Sequence, residues 1–100
     1  MATFIGTIKF TDKGVEAIRA TTKRAAAFKT TASRMGVKVT DVFWTLGPVD
    51  GVMVFDAPND KTATAAMLEL SSRGNVQTTT ARAFRANEMT SVIGALPKKK

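Results

Sequence analysis

The side chains best suited to chemistry are scarce in this sequence. Its 100 residues include no Cys, no His and no Tyr. Thiolate nucleophiles, Cys-based zinc sites, imidazole acid–base catalysis and phenolic proton donors are therefore excluded. Any proton transfer falls to carboxylates, Lys, Ser or Thr. Asp50 stands out among these. It lies in Gly47-Pro48-Val49-Asp50-Gly51, between apolar segments carrying Trp44 and Phe55, and apolar surroundings push a carboxyl pKa up toward that of a general base. The same position has a structural use, because Asp in such a turn caps backbone N–H groups, and that is its expected main role. Trp44, Asp50 and Phe55 form a candidate binding set for a small, largely apolar molecule. Trp44 either stacks on that molecule or fills the core, since large aromatic side chains serve both ends. Lys23, Arg24 and Arg82 are a candidate anion-holding set; the plainer reading is a solvated helix face, with Arg82 paired to Asp41 or Asp56. No metal site and no cofactor is expected.

The elements that must position these residues are legible from periodicity. Ala2 to Phe10 alternates, with Phe4, Ile8 and Phe10 on one side and Thr3, Ile5, Thr7 and Lys9 on the other, which predicts a strand. Thr11 or Asp12 then offers an N-cap. Val15, Ile18, Ala25, Phe28, Ala32 and Met35 recur at helical spacings, predicting a helix of about twenty residues with a bend or break at Thr21-Thr22 and an end at Gly36. The stretch Val37 to Ala57 reads as two strands joined by the Gly47–Gly51 turn, the first running through Leu46. Asn59 or Asp60 caps a second helix with Ala63, Ala66, Met67 and Leu70 on one face. Val76 to Arg85 returns to a strand. Asn87 is the expected cap of a short final helix that turns Met89, Val92, Ile93 and Leu96 inward.

The order is β-α-β-β-α-β with a trailing helix. It predicts an α+β, ferredoxin-like fold: a four-stranded antiparallel sheet with two helices on one face and a short C-terminal helix. Residues 1–96 form the expected single domain and 97–100 a basic tail. An apolar content of 44% suits one core built without metal or disulfide. The formal charge of +7 falls to +4 for the folded body once Lys98, Lys99 and Lys100 are set aside. The tail is expected to aid solubility rather than to hold nucleic acid. MATFIGTIKF carries neither a basic leader nor a long apolar run, so no signal peptide and no membrane span are expected and the default location is cytoplasmic.

Strands two and three are apolar on both parities, Val39 and Phe43 against Val42, Trp44 and Leu46, and Val52 and Val54 against Met53 and Phe55. Strands covered on both faces read this way. With helices on one face only, the cheapest cover for the other is a second copy of the chain, sheet against sheet. The bulkiest set, Val42, Trp44 and Leu46, is the expected interface of a homodimer or higher homo-oligomer.

The chain resembles the GYD-domain family over nearly its whole length. The resemblance is carried by the MAT-x-I start, by Thr11-Asp12-x-Gly14, by Lys23-Arg24, Ala27-Phe28-Lys29, Met35-Gly36 and Lys38-Val39, and by Phe43-Trp44-Thr45-Leu46-Gly47. It continues through Asp50, Ala57-Pro58, Asp60, Gly74-Asn75-Val76, Thr78 and Arg82-Ala83-Phe84. The resemblance implies a small dimeric α/β-barrel type of assembly and leaves the activity open. One departure falls on the name-giving motif, Gly-x-Tyr-Asp, which here reads Gly47-Pro48-Val49-Asp50. No phenol stands at that position.

Three function classes follow. The first is a homo-oligomeric binding or structural module for a small apolar molecule, held between sheet and helices or between two sheets. The second is a cofactor-independent enzyme with Asp50 as base, by analogy with other dimeric α/β-barrels. The third, ranked last, is a weak nucleic-acid binder. RNA-recognition domains share the topology but need exposed aromatics on strands one and three, and Gly51-Val52-Met53-Val54-Phe55 lacks the first of them.

Overall fold

A computed structural model describes residues 1–98, so Lys99 and Lys100 of the expected basic tail lie outside the described residues. The elements run β1 (Ala2–Phe10), α1 (Asp12–Glu16), a 3-10 turn (Ile18–Ala20), α2 (Thr21–Arg34), β2 (Lys38–Trp44), β3 (Gly51–Ala57), α3 (Asp60–Ser72), β4 (Val76–Ala83) and α4 (Ala86–Gly94). The strands make one antiparallel sheet in the order β2-β3-β1-β4. This is the ferredoxin-like arrangement expected from the element order. Helices α2 and α3 share one face: Phe28 and Ala32 from α2, and Ala63, Ala66 and Met67 from α3, close over Phe4, Ile8, Met53 and Phe55 in a single core. Phe55 is fully buried and stacks on Phe4, with ring centroids 5.5 Å apart.

The first helical segment is broken as expected, but the break lies at Ala17–Ala20, just ahead of the threonine pair. Two local ties explain its place. The Thr11 hydroxyl caps α1 by accepting from Gly14 N (3.2 Å), and Gly14 lies so close to the α3–β4 connection that an added Cβ would sit 2.1 Å from the Asn75 carbonyl oxygen. From the next segment, Arg24 reaches back and donates to the carbonyls of Ala17 (2.6 Å) and Gly14 (3.5 Å). The carbonyls freed by the break are thus satisfied by a guanidinium rather than by the ladder. Neither threonine caps α2; Thr21 instead accepts a hydrogen bond from the Trp44 indole (3.0 Å). At the far end Gly36, with φ at 79°, terminates α2 as anticipated.

Strand β2 corrects the expected parity. Its register against β3 shifts between Val39 and Asp41, leaving Thr40 as the extra residue of a bulge. Val39 lies opposite Phe55 and Val42 opposite Met53, so both point to the helix-bearing face, as does Trp44 opposite Gly51. Phe43, opposite Val52, takes the helix-free face. Part of the two-sided apolar pattern in strand two is therefore a bulge and not double burial. The strand also stops at Trp44, which leaves Leu46 fully exposed in the turn.

The C-terminal segment departs further. Helix α4 starts two residues earlier than expected: Arg85 is its N-cap, and the Glu88 carboxylate accepts from Arg85 N (3.1 Å). Glu88 also pairs with Arg82 (3.0 Å), while Arg85 lies 3.8 Å from Asp56. These contacts hold the base of α4 to the end of the sheet and leave its body unpacked. Met89, Val92, Ile93 and Leu96, expected to face inward, are 40–64% exposed. The chain is correspondingly long, 59 × 31 × 18 Å with a radius of gyration of 15.7 Å, against about 13 Å for a compact domain of this length.

Candidate functional site

Between α2 and the sheet lies a cavity of about 320 Å³. Its floor comes from sheet residues that project toward the helices: Ile8 on β1, Met53 on β3 and Val42 on β2. Its roof comes from Ala25, Phe28 and Thr31, along one side of α2. Leu70 and Val76 close the side toward α3 and β4. The walls are apolar because the alternation of each strand and the periodicity of α2 send the same residue class inward. Polar groups gather at the rim, namely Lys13, Arg24, Asp50, Glu69 and Arg73.

Trp44 is half-exposed and lines this cavity, with its Nε1 tied to Thr21 on α2. That bond joins β2 to the first turn of α2. Asp50 also borders the cavity, but its Oδ2 accepts from Phe10 N (2.8 Å). Its backbone is equally committed: Asp50 N donates to the Ile8 carbonyl (2.8 Å), and its own carbonyl accepts from Thr45 N (2.9 Å). Asp50 thus pins the β2–β3 turn to the end of β1. It caps a neighbouring strand instead of its own turn, and Thr45 Oγ1 serves that turn by donating to the Val49 carbonyl (2.6 Å).

The expected residues are therefore only partly assembled. Trp44 and Asp50 meet at one cavity; Phe55 is a core residue and does not line it. Val42 lines the cavity floor, whereas Leu46 lies apart in the turn. The set Lys23, Arg24 and Arg82 is not brought together. Arg24 is at the cavity rim, Lys23 is exposed on α2, and Arg82 borders a separate groove between α3 and β4 with Phe4, Met67 and Leu68. Arg82 pairs with Glu88 and lies over the rings of Phe4 (5.8 Å) and Phe84 (4.6 Å); the expected partner Asp56 is taken by Arg85 and Thr3. The Arg82 hydrogen bond, aided by Arg85 N–H, holds the Glu88 carboxyl below its ordinary range.

Sequence reasoning missed Phe28, Met53 and Lys13 as lining residues. Phe28 and Met53 read only as core, and a cavity inside a core leaves no separate signal in periodicity. Among the described residues no cluster of three or more His, Cys, Asp or Glu could hold a metal ion, and no helix is long and apolar enough to cross a membrane. What the geometry offers is an apolar chamber with a charged rim and an indole at its mouth. That arrangement can enclose an apolar body and orient it by a polar end.

Comparison with known proteins gives the chain's family. A relative from Thermus thermophilus, named glutamine synthetase and cystathionine beta-lyase binding protein, is 38% identical over 85 residues, which is 84% of this chain and 90% of the relative. The GYD domain family model matches residues 4–93. By this match, and by the sheet and helices that it spans, the chain is a member of the GYD domain family.

Proposed function

We propose that this protein is a homo-oligomeric binding module of the cytoplasm that takes a small, largely apolar molecule into the cavity beneath α2. The observation that carries this reading is the chamber of about 320 Å³ walled by Ile8, Phe28, Val42 and Met53 with Trp44 at its opening, a size within the range of small-molecule sites. The commitment of Asp50 to Phe10 N favours binding over the alternative of a general base at that position. The name of the Thermus relative, a binding protein for two enzymes, supports a binding role in general.

Self-association rests on the helix-free face of the sheet. Ile5 and Phe43 are 38% and 56% exposed there, beside the half-buried Val52 and Val54. They form an apolar strip of the sort that soluble monomers seldom leave uncovered. A second copy set sheet to sheet covers it symmetrically. Two measurements test the proposal. Light scattering on dilute protein is expected to give a mass of two chains or more, and a stable monomer near 10.7 kDa contradicts the assembly. A thermal-shift screen of apolar and aromatic metabolites is expected to find members that raise the melting temperature, since a ligand bound only by the native state stabilises it. A screen without any such member contradicts the cavity's role.

A second reading is favoured by one specific observation, the exposed stripe of Met89, Val92, Ile93 and Leu96 on and just after α4. Residues at this spacing lie along one helix face, the form in which an amphipathic helix enters the groove of another protein. The relative's name specifies two enzymes as its binding partners. In this reading α4 is the contact to an enzyme partner, and its removal is expected to abolish co-purification while leaving the melting temperature of the body nearly unchanged. Retention of the partner without α4 contradicts it.

A further inference from the structure

The charges at the rim of the cavity do not balance, and the imbalance specifies its occupant. Lys13, Arg24 and Arg73 face two carboxylates, Asp50 and Glu69, which leaves one positive charge. Glu69 is taken by Arg73 at 3.0 Å, and one oxygen of Asp50 is taken by Phe10 N. Lys13 and Arg24 donate instead to neutral acceptors. Lys13 Nζ bonds the Arg73 carbonyl (2.9 Å), and Arg24 bonds the carbonyls of Ala17 and Gly14. Among the described residues, no ion pair within 4.0 Å involves either cation. An ammonium has three donors and a guanidinium five, so both retain N–H groups for a further acceptor. The two belong to one stretch of rim, because Arg24 reaches the carbonyl of Gly14, the residue next to Lys13. Each is also partly oriented by a bond to a backbone carbonyl, at a rim open to solvent.

We propose, building on the reading of the cavity as a small-molecule site, that its ligand is an amphipathic monocarboxylate: an aromatic or aliphatic body carrying a single acid group. The body lies against Phe28, Met53 and Trp44, and the carboxylate meets Lys13 and Arg24. One negative charge neutralises the rim, and a planar carboxylate suits the fork of a guanidinium. A neutral molecule of the same shape fills the chamber but leaves both cations without an anionic acceptor.

The test compares 2-naphthylacetate with its neutral analogue 2-naphthylacetamide by isothermal titration calorimetry on the full chain. Binding of the acid is expected to be tighter by about tenfold, the ratio produced by one charge-assisted hydrogen bond at a partly solvated rim. The ratio is expected to fall toward one in Lys13→Gln, which keeps a neutral donor, and to shrink with added salt. Arg24→Gln should act the same way. Because Arg24 also closes the break before α2, Lys13→Gln is the deciding variant and circular dichroism accompanies both. Equal affinity for acid and amide overturns the monocarboxylate while the cavity reading stands. A ratio that persists in a folded Lys13→Gln and a folded Arg24→Gln overturns the assignment of the rim. Absence of binding by either compound, with no hit in the thermal-shift screen, overturns the cavity reading itself and this inference with it.

Discussion

Replacing Gly14 by Ala is the sharpest perturbation of the scaffold that holds the cavity rim. A Cβ at this position would lie 2.1 Å from the Asn75 carbonyl oxygen and 3.1 Å from its carbon, and must retreat by about 0.9 Å to reach even 3.0 Å. Neither side gives easily. The two segments are sewn together by Thr11 N to the Asn75 carbonyl (3.1 Å), by Thr11 Oγ1 to the Gly74 carbonyl (2.6 Å) and by Lys13 Nζ to the Arg73 carbonyl (2.9 Å). Overpacking of this kind costs about 1–3 kcal/mol, and stretching the ties forfeits about 1 kcal/mol more for each bond lost. Better helix propensity returns at most about 1 kcal/mol. The net is a destabilisation of about 2 kcal/mol, which for a domain of this size lowers the melting temperature by roughly 8–16 °C. Scanning calorimetry measures it. Gly94→Ala is the control, because a Cβ there meets nothing within 4 Å, and it is expected to leave stability unchanged or slightly raised. An equal melting temperature for Gly14→Ala and wild type refutes the reasoning.

Two further outcomes follow from named contacts. Asp50→Asn, which retains an acceptor for Phe10 N, is expected to change the melting temperature little, whereas Asp50→Ala leaves that N–H without its partner and costs about 1–3 kcal/mol; equal effects of the two variants, read by calorimetry, contradict the structural role. Glu88 titrates below its usual 4.5 because it accepts from Arg82 and Arg85. A depressed carboxyl lends stability that is complete above the unfolded-state value and lost as the pH falls through the folded one. Amide shifts of α4 are therefore expected to hold steady from neutrality down to the ordinary carboxylate range and to move only in stronger acid; Glu88→Gln removes that step, and a transition near neutrality contradicts the assignment.

The sheet and both main helices were legible because their signals are local. The alternation of Phe4, Ile8 and Phe10, the Asn59 cap, whose side chain accepts from Thr62 N at 2.8 Å, and the C-terminal Gly36 each act within a few residues. The bulge at Thr40 was not legible, since one extra residue shifts the parity of everything beyond it. Val42 and Trp44 consequently changed face relative to expectation. Helix α4 failed for another reason. Its stripe of Met89, Val92 and Ile93 predicts an apolar face correctly, but periodicity does not state what covers that face, and the ion pairs of Arg82 and Arg85 tie only the base of the helix to the sheet. Of the site, Trp44 and Asp50 were found from residue type at a turn. Lys13 went unnoticed because only the tertiary approach of α1 to Gly74-Asn75 brings it to the rim.

Trp44 provides the most direct test of the binding role, because it is the single tryptophan of the chain and sits at the cavity mouth. Its emission reports on the cavity without any label. Titration with non-fluorescent apolar metabolites and their monocarboxylates is expected to shift or quench that emission saturably, with the same midpoint as the rise in melting temperature, and to lose the effect when Met53→Lys places a charge on the floor. Emission that stays constant across the panel, in protein shown to be folded and oligomeric, contradicts the cavity as a ligand site.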